Sequence, residues 1–268
     1  KVGHAGTLDP MATGLLVLGL GRYTRLLRYA QGLPKEYQAT ARFGVATDSL
    51  DADGAEIDRA PLPVTRTELE AAAERFRGPI LQVPPMVSAR KVEGKRLYEI
   101  ARAGDVVERE ARPVEIYDFI ITDLAPSDYP EVSFDVVCST GTYVRTLGDD
   151  LARSLGGRAH LTALRRVRNG SIDVADAVRI EAIEDAASSQ SVEQLVAPAE
   201  TVLADVPARE IPEALATAAR NGAAVPVDAL DEAGSLADGD LIRLMSGSTL
   251  IGMYRIEGTR AKAEVVTA

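Results

Sequence analysis

The sequence has few of the residues that build disulfides or metal sites. Its 268 residues include one cysteine, Cys138, and two histidines, His4 and His160. A single cysteine cannot form an internal disulfide, and its apolar surroundings (VSFDVVCS) predict a buried thiol. So few cysteine and histidine side chains also argue against a structural zinc site. We therefore expect no structural metal, and we interpret His160 as a structural residue.

Longer patterns are missing as well. No apolar run approaches the roughly 18 to 20 residues of a membrane-spanning helix, and no signal peptide is evident. We therefore expect a cytoplasmic protein without membrane association. There is also no phosphate-binding loop and no GxGxxG pattern, so the sequence predicts no cofactor of these kinds. The chain does not begin with methionine and Lys1 already adjoins a motif, so we expect the natural protein to extend further at its N-terminus.

Positive charge is scarce overall but concentrated in three segments. The net charge of the chain is −10, which is unusual for a protein that binds nucleic acid. Residues 1–50, 79–112 and 139–170 nevertheless carry net charges of +3, +2 and +4. Such asymmetry is a sign of an anionic partner at the three basic segments, although surface scatter would give the same pattern.

Hydrophobic periodicity predicts an α+β chain with a large mixed sheet and a small β-rich tail. We predict strands over 15–20, 36–45, 115–124, 131–139 and 161–172, and helices over 24–31, 67–76, 97–104 and 144–155. Residues 79–96 contain three prolines and predict an extended loop. The tail is predicted to hold a helix over 212–222 and strands over 240–245, 249–256 and 261–267.

The most informative segment is GHAGTLDPMATGLL, a glycine-rich loop that carries one carboxylate and leads into an apolar run. Pro10 restricts Asp9 to an extended or turn conformation, and Gly3 and Gly6 permit a partner to approach the backbone closely. A carboxylate fixed in this way could do chemistry. It could equally be an ordinary turn residue before proline, and spacing alone does not decide between the two.

Together with four later blocks, this segment resembles the TruB family of tRNA pseudouridine-55 synthases of the bacterial type. The blocks follow in family order over roughly residues 1–170: KEYQATARFGVATDSLDADG, VPPMVSARKVEGKRLYEIARAG, CSTGTYVRTLGDDLARSLG and GGRAHLTALRRVRNG. The resemblance implies a pseudouridine-synthase-like mixed, mainly antiparallel sheet with flanking helices and loops in a catalytic domain over 1–204. By position and β content alone, residues 205–268 resemble a small PUA-like domain. The net charge of −10 over 171–268 predicts that this tail contributes little to RNA binding.

The resemblance also implies the reaction and its residues. Uridine in the T-loop of tRNA, at position 55, becomes pseudouridine by base flipping and without a cofactor, with Asp9 as the catalytic carboxylate. Arg145 is its ion-pair partner, because arginine stays charged and can bind both carboxylate oxygens. Tyr37 stacks on the target base and is the candidate base for the C5 proton. His4 enters the space of the flipped nucleotide, and Tyr143 and Leu164 line the pocket. Apart from the resemblance, the basic segments supply the candidates for phosphate contact, which are Arg165, Arg166, Arg168, Arg90, Lys91, Lys95 and Arg96.

Two other functions share parts of this pattern. A guide-RNA-dependent, dyskerin-type synthase has the same catalytic core, but we would expect basic extensions where this chain has an acidic tail. A tRNA chaperone or binding protein without catalysis would not require Asp9, Tyr37 and Arg145 together. We therefore expect a monomeric enzyme that acts on the T-arm of tRNA without an obligatory protein partner.

Overall fold

The computed structural model describes residues 1–85, 91–92, 95–96, 109–230 and 234–267, and only the backbone of 91–92 and 95–96. The predicted helix over 97–104 lies outside the described residues. In the part of the chain that is described, no helix combines the length and apolar character needed to cross a membrane.

Short elements and long strands alternate along the chain. The first half contains β1 (Val2–His4), β2 (Thr13–Gly14), β3 (Leu18–Leu20), α1 (Leu27–Gly32), β4 (Lys35–Phe43), β5 (Val45–Thr47), β6 (Glu56–Arg59), α2 (Arg66–Glu74), β7 (Gly78–Gln82), β8 (Lys91–Val92), β9 (Lys95–Arg96), β10 (Arg112–Ala125) and β11 (Glu131–Cys138). The second half contains α3 (Val144–Ser154), β12 (Ala159–Asn169), β13 (Ile172–Asp173), α4 (Ile180–Ser188), α5 (Ala199–Val202), β14 (Ala208–Glu210), α6 (Glu213–Arg220), β15 (Val225–Pro226), β16 (Leu241–Ser246), β17 (Thr249–Glu257) and β18 (Arg260–Val266).

The larger sheet has seven strands in the order β13–β12–β4–β11–β10–β7, with β2 beside β12. All pairings are antiparallel except the short one between β2 and β12. Along β4 every second residue is buried, so one face of the sheet carries the core. Helices α2 and α3 contribute Leu69, Leu147 and Leu151 to the same core as Phe119 and Phe134. The predicted mainly antiparallel α+β fold is confirmed.

Two local predictions are correct only in part. The helix predicted over 24–31 is present as a 3₁₀ turn over 21–25 followed by α1. The extended loop predicted over 79–96 begins as the edge strand β7, a position that tolerates Pro79 because an edge strand has unpaired backbone groups. Asp149 on α3 is buried and pairs with Arg153 and Arg158.

The tail strands form a separate five-stranded sheet in the order β14–β16–β17–β18–β15. This sheet packs against α1 through an apolar cluster that contains Leu26, Leu250, Met253 and Val265, together with Leu203. At the edge of this contact, Glu264 accepts hydrogen bonds from the Arg28 guanidinium at 2.9 Å and from the Tyr29 hydroxyl at 2.8 Å. These hydrogen bonds therefore link β18, near the end of the chain, to α1, near its start.

Candidate active site

The centre of the site is an ion pair between Asp9 and Arg145. The Arg145 Nε donates to Asp9 Oδ2 at 2.9 Å and its Nη2 donates to Asp9 Oδ1 at 2.6 Å, so the contact is bidentate. The Arg145 side chain is 2% exposed, whereas that of Asp9 is 27% exposed. Arg145 lies in the first turn of α3, where the helix dipole disfavours a cation, so the arginine needs carboxylate partners.

A second carboxylate also binds Arg145. Asp51 Oδ2 accepts a hydrogen bond from Arg145 Nη1 at 3.0 Å, and the Ser49 carbonyl accepts one from the same nitrogen at 2.7 Å. The Ser49 hydroxyl in turn donates to Asp51 Oδ1 at 2.6 Å. Between them, Leu50 has a φ of 63°, a strained value for a branched residue, which indicates that the turn is held by its contacts.

Asp51 was missed by the sequence interpretation. The available signal was the acidic turn ATDSLDADG, which belongs to one of the blocks that resemble the family. With Asp51 included, two carboxylates share one guanidinium and the group carries a net charge of −1. Asp51 is 5% exposed, so only Asp9 offers part of its carboxylate to a substrate.

The loop that carries Asp9 is fixed at both ends. The Ala5 amide donates to the Val17 carbonyl at 2.9 Å and the Leu15 amide donates to the Arg166 carbonyl at 2.8 Å. Gly14 is required here, because its φ is 95° and a Cβ at this position would lie 2.2 Å from the Arg166 carbonyl oxygen. The loop therefore has little freedom to move Asp9.

Tyr37 and Leu164 form one wall beside this loop. Tyr37 lies on β4 and Leu164 on the neighbouring β12, and both are buried, at 9% and 5% exposure. Burial raises the pKa of the Tyr37 hydroxyl, while the charge of Arg166 and a hydrogen bond from it oppose that rise. Cys138 and Asp9 also raise this pKa through their charges.

Tyr143 is half-buried and precedes α3 as its N-cap residue. The side-chain amide of Gln82 holds its backbone from both sides, since Gln82 Nε2 donates to the Tyr143 carbonyl at 3.1 Å and the Tyr143 amide donates to Gln82 Oε1 at 2.7 Å. Gln82 is 2% exposed and was not singled out from the sequence. It links β7 to the start of the helix that carries Arg145.

The other expected substrate contacts differ in their placement. His4 is exposed on the β1–β3 hairpin, and its carbonyl accepts a hydrogen bond from the Gln31 side chain at 3.2 Å. Arg90 lies outside the described residues. Lys91 and Lys95 lie on the two-stranded β8–β9 ladder, and their side chains also lie outside what is described.

Arg166 requires a correction. It was expected to contact phosphate at the surface, but its side chain is buried and the residue is 1% exposed. Its Nε donates to the Leu15 carbonyl at 2.7 Å and its Nη2 donates to the Gly6 carbonyl at 3.2 Å. The guanidinium therefore binds backbone carbonyls inside the protein and does not face phosphate at the surface. Its neighbour Arg165 is exposed and remains a candidate for phosphate contact.

Comparisons with known proteins agree on one family. A model described as the N-terminal domain of TruB family pseudouridylate synthase matches residues 1–144, and one described as the tRNA pseudouridylate synthase B C-terminal domain matches residues 145–204. The tRNA pseudouridine synthase B of Burkholderia lata is 42% identical over 255 residues, which are 95% of this chain and 78% of that protein. The protein of the same name from Burkholderia mallei is 40% identical over 268 residues, 99% of this chain and 87% of its own length.

The fold is also similar to a solved structure. An H/ACA RNP bound to a substrate RNA containing 2'-deoxyuridine includes a chain that superposes with a TM-score of 0.75 and 21% identity. The match covers 100% of this chain and 76% of that one. At this level of identity the likeness concerns the fold alone.

Proposed function

Because this chain belongs to the TruB family of pseudouridylate synthases, we propose that it converts uridine to pseudouridine in tRNA, at T-loop position 55. The reaction breaks the N1–C1′ glycosidic bond, turns the detached uracil and joins its C5 to C1′. The C5 proton is lost, N1 gains one, and no electrons enter or leave. The chemistry therefore requires a carboxylate near the sugar, a base near C5 and a pocket that holds uracil.

The bidentate Asp9–Arg145 pair carries this proposal. Two guanidinium nitrogens hold and orient the Asp9 carboxylate, and its partial exposure gives a substrate access to it. Asp9 can attack C1′ as a nucleophile or remove the C2′ proton to give a glycal, and both routes use the same oxygen atoms. Asp51 acts through Arg145, because it neutralises and orients the guanidinium without reaching the exposed part of the site.

Tyr37 and His4 supply the remaining steps. The ring of Tyr37 stacks on the uracil and its oxygen receives the C5 proton. His4 occupies the space of the nucleotide that leaves the T-loop, a step that is needed because the target atoms are hidden in the folded loop. The exposed position of His4 on the β1–β3 hairpin suits this role.

We further propose that the enzyme works as a monomer in the cytoplasm, without guide RNA or an obligatory protein partner. The relatives that match over 95% and 99% of this chain at 42% and 40% identity are named as tRNA enzymes. Likeness to the H/ACA chain rests on 21% identity, so it supports a common fold and not a common assembly.

The test is to incubate the protein alone with an unmodified tRNA transcript that carries tritium at uridine C5. Release of tritium reports loss of the C5 proton, and mapping of the product locates the pseudouridine. We expect one modified position in the T-loop, and a transcript with cytidine at that position should be inert. Activity only after addition of a guide RNA would refute the proposal and favour a guide-RNA-dependent, dyskerin-type synthase.

A further inference from the structure

Arg166 has contacts that suit a role close to the reaction. Its side chain binds the Gly6 carbonyl, which precedes Asp9, and the Leu15 carbonyl, which follows it. Its own carbonyl accepts a hydrogen bond from the Leu15 amide. One buried arginine therefore holds both ends of the ten-residue stretch 6–15 that contains Asp9.

The same residue lies beside the second reactive group. Arg166 on β12 is the register partner of Tyr37 on β4, so the two residues are neighbours on the sheet. Burial raises the pKa of the Tyr37 hydroxyl, and the charge of Arg166 and a hydrogen bond from it oppose that rise, so one cation acts on both the Asp9 loop and Tyr37. Displacement of either reactive group by about 1 Å can cost about 100-fold in rate.

No carboxylate of the described residues forms an ion pair with Arg166. Among the ion pairs formed by the described residues, neither Arg166 nor its buried neighbour Lys35 takes part, and the hydrogen bonds of Lys35 go to the Gln31 and Leu33 carbonyls at 2.8 and 2.7 Å. Burial lowers the pKa of Lys35 to about 8, with a further decrease caused by Arg166. A buried cation favours negative charge on a nearby ionisable oxygen, and in this way Arg166 opposes the rise that burial causes in the pKa of the Tyr37 hydroxyl.

We propose that Arg166 is a positioning residue, which fixes the Asp9 loop against the strand of Tyr37 and stabilises negative charge on the Tyr37 oxygen. This inference rests on the proposed function, since it assigns Arg166 to that reaction. The alternative is the phosphate contact expected from the sequence. A positioning residue affects the rate and leaves the Kd for tRNA nearly unchanged, whereas a phosphate contact affects the Kd and leaves the rate unchanged.

The experiment compares Arg166→Met and Arg166→Lys with wild type in single-turnover assays at saturating tRNA, and measures the Kd for tRNA separately. Arg166→Met should lower the rate by about 100-fold with little change in Kd. Arg166→Lys keeps the charge but cannot bind both carbonyls in the planar geometry of arginine, so its rate should be intermediate. A weakened Kd with an unchanged rate would overturn the proposal and restore the phosphate contact.

Arg158→Met is the matched control, since Arg158 immediately precedes β12 at the opposite end from Arg166. It also loses a partly buried arginine, whose Nε lies 2.8 Å from Asp149, but it leaves the Asp9 loop intact. Arg158→Met should therefore keep the wild-type rate, and an equal loss in both variants would mean that the effect follows stability alone. If Arg166→Met does not fold, Arg166→Lys decides: an unchanged rate overturns the proposal.

The pH profile separates positioning from simple structural support. The charged or titratable groups that act on Tyr37 are Arg166 from β12, Cys138 from β11 and Asp9 from its loop, with Lys35 two residues away on β4. Loss of the Arg166 cation raises the pKa of Tyr37, so the rate of Arg166→Met should rise towards wild type as the pH increases. A rate that is lower by the same factor at every pH would overturn the charge contribution. If wild type makes no pseudouridine, the proposed function fails instead, so the two failures are distinguishable.

Discussion

Replacing Arg145 with methionine removes the cation that two carboxylates, Asp9 and Asp51, share. Asp51 is 5% exposed and cannot be solvated in place, so its contact with Arg145 is a buried ion pair. Breaking such a pair from one side costs about 3 to 5 kcal/mol. The Asp9 side chain is 27% exposed and keeps water, so it contributes less to the loss.

This loss is large compared with the whole stability of a domain, which is about 5 to 15 kcal/mol. With a urea m-value of about 3 kcal/mol/M, the unfolding midpoint should fall by roughly 1 to 2 M. The single-turnover rate should fall below about 1% of wild type, because Asp9 loses the bidentate contact that orients it.

A second substitution separates the two effects. Arg145→Met combined with Asp51→Asn removes the buried unpaired charge, so most of the lost stability should return while the rate stays low. Urea titration and single-turnover tritium release on the three proteins measure both quantities. An unchanged midpoint in Arg145→Met, or a rate that returns together with the stability, would refute the reasoning.

Three further predictions concern single groups. Asp9→Asn should abolish turnover yet keep tRNA affinity within about tenfold, since phosphate contacts supply most of the affinity; a single-turnover rate of even a few per cent of wild type would contradict it. Tyr37→Phe should bind tRNA and stall after glycosidic cleavage, and normal product formed at an undiminished rate would exclude the hydroxyl as the base. Arg165→Ala should flatten the dependence of log Kd on log salt by about one unit, whereas Arg260→Ala in the tail should not, and equal slopes would remove Arg165 from the RNA surface.

The sequence predicted the sheet, the tail and the Asp9–Arg145 contact, because each follows from local alternation or from a matching motif. The contact between Asp51 and Arg145 was not predicted, because it joins residues 94 positions apart and depends on the left-handed backbone of Leu50. Arg166 was misplaced for a different reason. Strand β12 has irregularities between Leu161 and Ala163 and between Arg166 and Arg168, so alternation along this strand does not tell which arginines face the interior.

The long separation between the paired residues has a consequence for synthesis. Arg145 lies 136 residues after Asp9, and Glu264 lies 236 residues after Arg28. At about 5 to 20 residues per second, roughly 7 to 27 s pass between the synthesis of Asp9 and the synthesis of Arg145. During that interval the nascent chain has the carboxylate but neither Arg145 nor β12. We therefore expect a ribosome-bound chain to stay inactive until the second half has emerged and packed, so that the enzyme meets its substrate only after the protein is nearly complete.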